Sequence, residues 1–264
     1  MATTRGLHLG MIGFGAIARD VHRHFSRRAG FRFTALLRPE SRARLPDDVT
    51  RVDGAGALVA AGADLVAEMA GHSAVAADVP ALLAAGLPVL ICSTGALADP
   101  AVVEAIETAR HSGGTRLILP HGAIGGLDYL ATIALVPDAE ATYVSRKPPA
   151  AWRAELAALG HDPEALAAPV ILFEGSPAEA ARLYPKNLNA ALTAARAIGP
   201  ARLTVRVVAD PQSAGNTHEI EAKSAAGTAF FRFLNTPSPD NPKTSMLTAL
   251  SVIAAIEAFA GAAR

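Results

Sequence analysis

The sequence predicts an α/β fold in two parts: a doubly wound parallel sheet at the N-terminus, then a smaller α/β domain built on a mostly antiparallel sheet. Three observations carry this. A short apolar run enters a glycine-rich turn and then a helical stretch at residues 9–18. Strand and helix patterns then alternate with short connections to about residue 119, and beyond Gly125-Gly126 the pattern turns strand-rich.

The first stretch, Leu9-Gly10-Met11-Ile12-Gly13-Phe14-Gly15-Ala16-Ile17-Ala18, has the G-x-G-x-x-A form of a dinucleotide-binding turn. Gly13 permits the tight turn out of the strand. Gly15 removes the Cβ that would keep the backbone from a pyrophosphate, and Ala18 lets helix and sheet pack closely. The helix opened by Ala16 and Ile17 aims the positive end of its dipole at the phosphates. The alternative is a merely structural turn, but its place after a strand and before a helical run to Arg28 favours a bound dinucleotide.

Composition narrows the rest. The 264 residues make one large domain or two modest ones, with a substantial core either way. With 24 basic and 24 acidic residues and a pI near 7.1, nothing draws the chain to nucleic acid or to an acidic membrane, so small molecules are the expected partners. A single cysteine, Cys92, cannot form an internal disulfide, and no Cys/His spacing of a metal site appears; a reducing cytoplasm is expected. There is no signal-peptide core, and every apolar run is broken before membrane-spanning length. Alanine is a large part of the 51% hydrophobic content and aromatics are only 5% of the chain, which suits close helix-on-sheet packing.

After the first helix, residues 31–37 read as a second strand, whose end is where an adenosine ribose would lie. An NAD site usually places an acidic residue there. This chain has Arg38, with Arg42 and Arg44 behind it, which favours the 2′-phosphate of NADP while leaving NAD open; the plain alternative is a solvated basic loop. Strands at 64–68, 88–91 and 116–119 alternate with helices at 73–85 and 99–110. Ligands bind beyond the carboxyl ends of such strands, so Ala70-Gly71-His72, Ser93-Thr94-Gly95 and His121-Gly122-Ala123 are expected to line the cofactor. His72 and His121 are acid–base candidates, though a histidine at a loop start often only bonds the backbone.

Beyond a helix at 127–136, strands are expected at 141–146, 170–174, 203–209, 217–224 and 228–234. Ser176-Pro177-Ala178-Glu179 is a capping box opening a short helix, Lys186-Asn187-Leu188-Asn189 starts another that Gly199 can close, and a last helix runs from about Thr244. The expected division is a dinucleotide domain at 1–122, a substrate domain at 123–240 and a C-terminal helix at 241–264 that packs back on the first domain.

In the strand at 217–224 the two faces differ: His218, Ile220 and Ala222 share the apolar face. An imidazole there is either a bonded core histidine or an active-site base, and the residues alone leave the two even. Lys243 and Thr244, at the expected start of the last helix, combine an ammonium, a hydroxyl and free backbone N–H groups that suit a carboxylate; ordinary capping is the alternative. Lys186 and Asn189 offer similar options, and the Asn189 amide suits a nicotinamide carboxamide. Arg146-Lys147-Pro148-Pro149 reads as a solvated strand exit, with substrate contact as the lesser alternative.

Taken together, Gly13-Phe14-Gly15-Ala16-Ile17, Ser93-Thr94-Gly95-Ala96-Leu97, His121 to Asp128, Tyr184 to Asn189, Asn216-Thr217-His218 and Asn241 to Ser245 give the chain a resemblance to the L-aspartate dehydrogenase family across nearly its whole length. The resemblance implies a Rossmann domain joined to an α/β substrate domain, usually in a homodimer. It makes His218 the catalytic histidine and places Ala123 and Asn189 at the cofactor. It implies reversible oxidative deamination of L-aspartate to oxaloacetate and ammonia through iminoaspartate, with NAD or NADP. Lys186, Lys243 or Thr244 would hold the substrate carboxylates. Two rivals share the glycine turn: a related dehydrogenase or reductase acting on another small amino acid or imine, and a non-catalytic NAD(P) sensor that needs neither His218 nor a substrate site.

Overall fold

A computed structural model describes residues 6–184 and 188–262, apart from the side chains at 242, 243 and 262. It divides into two compact units, Met1–Gly122 with Ser238–Arg264, and Ala123–Pro237.

The first unit is a six-stranded sheet in the order β3-β2-β1-β4-β5-β6, with every pair parallel. Its strands are β1 (His8–Ile12), β2 (Arg32–Leu36), β3 (Val49–Val52), β4 (Leu65–Glu68), β5 (Val89–Ile91) and β6 (Leu117–Ile118). The helices α1 (Ala16–Phe25), α2 (Ala55–Ala60), α3 (His72–Ala84) and α4 (Pro100–Ser112) make the crossovers. Because β1 is covered on both faces, all five of its residues are buried, which is why the run carries no polar alternation. On one face Leu9, Met11, Ala35 and Ala67 pack against Ala18, Val21 and Phe25 of α1. Val252 and Ile256 of the last helix, α9 (Met246–Ala262), join the same cluster. On the other face Ile12, Val66 and Ile91 meet Leu58 of α2, Val75, Val79 and Leu82 of α3, and Ile106 of α4. The strand order reverses beside β1, so ligand space opens at its carboxyl end.

The second unit contains α5 (Leu127–Ile133), β7 (Glu140–Lys147), α6 (Arg153–Ala158), β8 (Val170–Gly175), α7 (Pro177–Leu183), α8 (Asn189–Ile198), β9 (Leu203–Ala209), β10 (Thr217–Ser224) and β11 (Gly227–Leu234). The sheet order is β11-β10-β7-β9-β8, and β7 with β9 is its parallel pair, the others being antiparallel. The capping box closes as the sequence suggests: Glu179 N–H donates to Ser176 Oγ at 3.3 Å, and Ser176 N–H donates to Glu179 Oε2 at 3.0 Å.

Three features depart from the sequence reading. β3 and α2 are short elements in a stretch without clear periodicity. The helix expected at 127–136 ends at Ile133. The last helix starts not at Thr244 but at Met246, because Asn241–Ser245 pairs as a strand, β13, with β12 (Pro237–Ser238). Ser245 Oγ then accepts the Leu247 N–H at 3.1 Å, serving the cap that Thr244 was expected to supply.

Candidate active site

A cavity of about 480 Å³ opens in the first unit at the carboxyl ends of β1, β2 and β4. Gly13, Gly15, Arg38 and Ala70 line it, with Phe14, Leu37, Ser41 and Asp78. The two glycines have different reasons to be there. Gly13 has φ +85°, and a Cβ on it would lie 2.8 Å from that of Ala70, so the turn itself demands glycine. Gly15 has ordinary φ, and a Cβ there would meet no atom within 4 Å. No protein atom crowds position 15, so the backbone at this helix N-cap is open to a pyrophosphate, and the cavity fits a dinucleotide. Ala16 and Ile17 open α1 immediately behind it without lining it. Arg38 is exposed at the rim, 3.5 Å from Glu40, on the side where the 2′-phosphate of a dinucleotide is expected. Asp78, which the sequence reading passed over, sits in the wall, and burial pushes its carboxyl up.

Behind the cavity lies a carboxylate that the sequence reading counted only as the end of a strand. Glu68 is fully buried at the carboxyl end of β4. Its Oε1 accepts from Ala70 N–H at 2.8 Å, Gly71 N–H at 2.7 Å and the Ser93 hydroxyl at 2.9 Å, while Oε2 accepts from Ser93 N–H at 3.0 Å. One side chain thus fastens two of the three loops expected at the cofactor. Its signal was present as a lone acidic residue closing an apolar strand. In the third loop, Gly122 N–H donates to Ser251 Oγ at 3.0 Å in the first unit, and the Ala123 carbonyl accepts from Asn235 in the second. Neither that loop nor 93–95 lines the cavity. His72 begins α3, and His121 is exposed.

In the second unit, His218 lies near the start of β10 on the face that the strand alternation assigns to it, and it is 4% exposed. Tyr143, on the neighbouring strand β7, holds His218 Nδ1 from its hydroxyl at 2.6 Å, and Asn216 Nδ2 lies 3.1 Å from Nε2. With the amide turned this way it donates to Nε2, which leaves Asn216 Oδ1 buried without a partner. Turned over, the amide accepts from an Nε2–H, so Asn216 matches either protonation state of that nitrogen. Burial, and secondarily the Lys147 charge, hold the imidazole down at about 4. Tyr143 is fully buried, and burial drives its phenol well above the ordinary range against the smaller opposing effect of the Ser145 hydroxyl.

Lys147 corrects the sequence reading of a solvated strand exit. Alternation along β7 sends Arg146 to the face opposite His218, where it meets Asp210 at 3.0 Å and Glu219 at 2.9 Å. Lys147 turns to the His218 face, half-buried, with Nζ 5.1 Å from the centre of the Trp152 ring, and burial lowers its pKa. Of the other expected ligands, Asn189 is exposed at the start of α8, and Thr244 Oγ1 accepts from Asn241 at 3.0 Å within β13 instead of heading a helix. Lys186 lies outside the described residues, as does the side chain of Lys243. No group of three metal-type side chains occurs among the described residues.

The comparisons agree with this geometry. The family model described as the aspartate dehydrogenase C-terminal domain matches residues 128–259, and the homoserine dehydrogenase NAD-binding domain model matches residues 13–120. L-aspartate dehydrogenase 2 of Bordetella pertussis is 46% identical over 94% of this chain and 95% of its own length. The L-aspartate dehydrogenase of Ruegeria pomeroyi is 40% identical over 98% and 94%. The crystal structure of Thermotoga maritima aspartate dehydrogenase superposes with a TM-score of 0.79 at 27% identity, covering 97% of each chain. A dihydrodipicolinate reductase structure, at 11% identity and a TM-score of 0.53, shares the fold alone. With a glycine turn open to a ligand at position 15, a histidine held at both ring nitrogens, and full-length relatives at this identity, the chain belongs to the aspartate dehydrogenase family.

Proposed function

We propose that the protein is an NAD(P)-dependent L-aspartate dehydrogenase, converting L-aspartate, NAD(P)+ and water to oxaloacetate, ammonium, NAD(P)H and a proton through iminoaspartate, with His218 as the catalytic base. The observation that carries the reading is His218 itself: a buried, neutral imidazole with its Nδ1 fixed by Tyr143 and its Nε2 facing an amide that can serve it with or without a proton.

The dinucleotide would be held by Gly13 and Gly15 at the pyrophosphate, by Ala70 along the cavity wall and by Arg38 at the adenosine end; Ala123 and Asn189 are retained as cofactor candidates on the family resemblance alone. When bound, it supplies the acceptor for the substrate Cα hydride. His218 Nε2 takes a proton from the substrate ammonium before the imine forms, releases it to solvent, then takes one from the water that attacks the imine carbon and returns it to the departing ammonia. Asn216 turns its amide to accept from the new Nε2–H. Tyr143, accepting from Nδ1–H, keeps the ring from rotating and leaves Nε2 as the nitrogen that carries the lone pair. In the free protein the base titrates well below neutrality. Two incoming carboxylates offset the Lys147 charge and raise it toward the value that proton transfer at neutral pH prefers. Thr244, Lys186 and Lys243 are retained as further candidates for the substrate carboxylates. The same reading makes the enzyme a cytoplasmic homodimer, which light scattering of the purified protein tests.

The test is the change in reduced-nicotinamide absorbance with L-aspartate and NAD+ or NADP+, and with oxaloacetate and ammonia in reverse. Turnover of aspartate over alanine, glutamate and homoserine is expected. Cofactor binding without turnover in either direction would move the assignment to a sensor or to another substrate.

A further inference from the structure

We propose that the Asp78 carboxylate, on the α3 wall of the dinucleotide cavity, accepts a hydrogen bond from the exocyclic amine of the adenine and so selects an adenine dinucleotide over one carrying another purine. The proposal rests on the dinucleotide reading of the cavity and assigns a residue to its far end. Ser73, Ala74, Ala77 and Asp78 line the cavity from α3. Their spacing, i, i+1, i+4 and i+5, is one face of a helix, while Val75, Val79 and Leu82 turn to the sheet.

Gly13 and Gly15 mark the phosphate end of the cavity. Ala70, whose Cβ would lie 2.8 Å from a Cβ on Gly13, brings the start of α3 close to that end. Asp78 follows six residues after His72, which is about 9 Å further along the helix axis. That separation keeps its charge away from the pyrophosphate, which it would repel. Arg38, the other charged side chain of the lining, stands beyond β2 where the ribose 2′ position is expected, so the two charges divide the adenosine between them. Much of the remaining lining is apolar, with Leu36, Leu37 and Ala43 on the β2 side facing Ala74 and Ala77 on α3, and this suits the faces of a planar base. An ionised carboxylate only accepts hydrogen bonds. The ring nitrogens N1, N3 and N7 of adenine are acceptors and its exocyclic amine is a donor, so the amine is the polar group that can meet Asp78. Hypoxanthine carries a carbonyl oxygen at the same position, and there two acceptors would face each other. Burial pushes the Asp78 carboxyl up, and among the described residues no donor or cation pulls it back. Such a carboxylate gains from a donor that arrives with the ligand.

The test measures, by fluorescence titration, the Kd of the parent, Asp78→Asn and Asp78→Ala for NADH, NADPH and reduced nicotinamide hypoxanthine dinucleotide. A hydrogen bond to a charged group contributes roughly tenfold or more to binding, so the parent should prefer NADH to the hypoxanthine analogue by at least that factor. In Asp78→Ala the preference should fall to within about threefold, through weaker binding of NADH. In Asp78→Asn, whose amide can face an amine or a carbonyl, it should fall through tighter binding of the analogue. Reduced nicotinamide mononucleotide, which lacks the adenosine, should bind all three proteins alike. The Tm without cofactor should not fall in either variant, because a partly desolvated charge has been removed. No preference for adenine in the parent, or a preference unchanged in both variants, would overturn the proposal. So would a change confined to the ratio of NADPH to NADH affinity, which places the carboxylate at the ribose, or a fall in Tm with equal loss for every ligand. A parent that binds neither NADH nor NADPH would overturn the dinucleotide reading instead.

Discussion

Replacing His218 by glutamine should make the protein less sensitive to acid, even though the substitution removes the proposed base. The imidazole titrates at about 4 in the folded protein against an ordinary value near 6.5, so the unfolded chain binds the proton more tightly. A group whose folded pKa is depressed contributes stability that is present above its unfolded pKa and is lost as pH falls through the window down to the folded value. For His218 that window runs from about 6.5 to about 4, and at about pH 4.5 the loss relative to neutral pH is on the order of 2.5 kcal/mol. The groups around the ring are Tyr143, Ser145, Asn216, Lys147 and Phe233, and of these Lys147 adds to the depression. Glutamine keeps a polar group between Tyr143 and Asn216 but binds no proton. Urea unfolding at neutral pH and at about pH 4.5 measures both proteins; the parent should lose about 2 kcal/mol more than His218→Gln, and kcat/KM of the parent should hold well below pH 6. His8, also buried and lowered by burial, is present in both and cancels. Equal acid losses in the two proteins would refute the burial argument, and a variant retaining turnover within a few-fold of the parent would refute the base assignment.

The two cavity glycines should separate folding from binding. Gly15→Ala, with nothing within 4 Å of the new Cβ, should leave the urea midpoint unchanged and weaken NADPH binding by at least about tenfold. Gly13→Ala, strained at φ +85° and pressed on Ala70, should lower both. Arg38→Asp should reduce kcat/KM with NADP+ by at least about tenfold more than with NAD+, since the guanidinium at the rim suits the 2′-phosphate and a carboxylate suits the free hydroxyl. Glu68→Gln leaves one carbonyl oxygen and an NH2 to face four donors. A loss of about 2 kcal/mol or more in stability, with weaker cofactor binding, is expected by denaturation and fluorescence titration.

Much of the first unit was legible because its signals are local. A buried parallel strand must be apolar throughout, a glycine must occupy φ +85°, and crossover helices alternate with strands. The elements that escaped, β3 and α2, are four and six residues long, too short for either period to show. His218 could be placed on a face by alternation, but its partners could not: Tyr143 is 75 residues away in the chain, and only the β7–β10 register brings its hydroxyl to Nδ1. The misplaced start of the last helix has a similar origin. Asn-Pro followed by Lys-Thr reads as a helix entry, yet pairing with β12 keeps the segment extended as far as Ser245, and the cap moves on by one residue.

The reading of Arg146-Lys147 failed for a more instructive reason. Two adjacent cations look like one solvated patch in a sequence, but in a strand they cannot share an environment, because the pleat sends neighbours to opposite faces. On one face a guanidinium, two carboxylates and a second arginine complete an ion network that ties β7 to β10 and to the loop at Asp210. On the other, an ammonium, an imidazole, a phenol and an indole gather with polar capacity left over. The first arrangement is an ion network; the second gathers titratable and hydrogen-bonding groups around one imidazole. Where perturbed titratable groups gather on one face of a strand in this way, that face is the place to look for the substrate, and in this chain it is the face that carries His218.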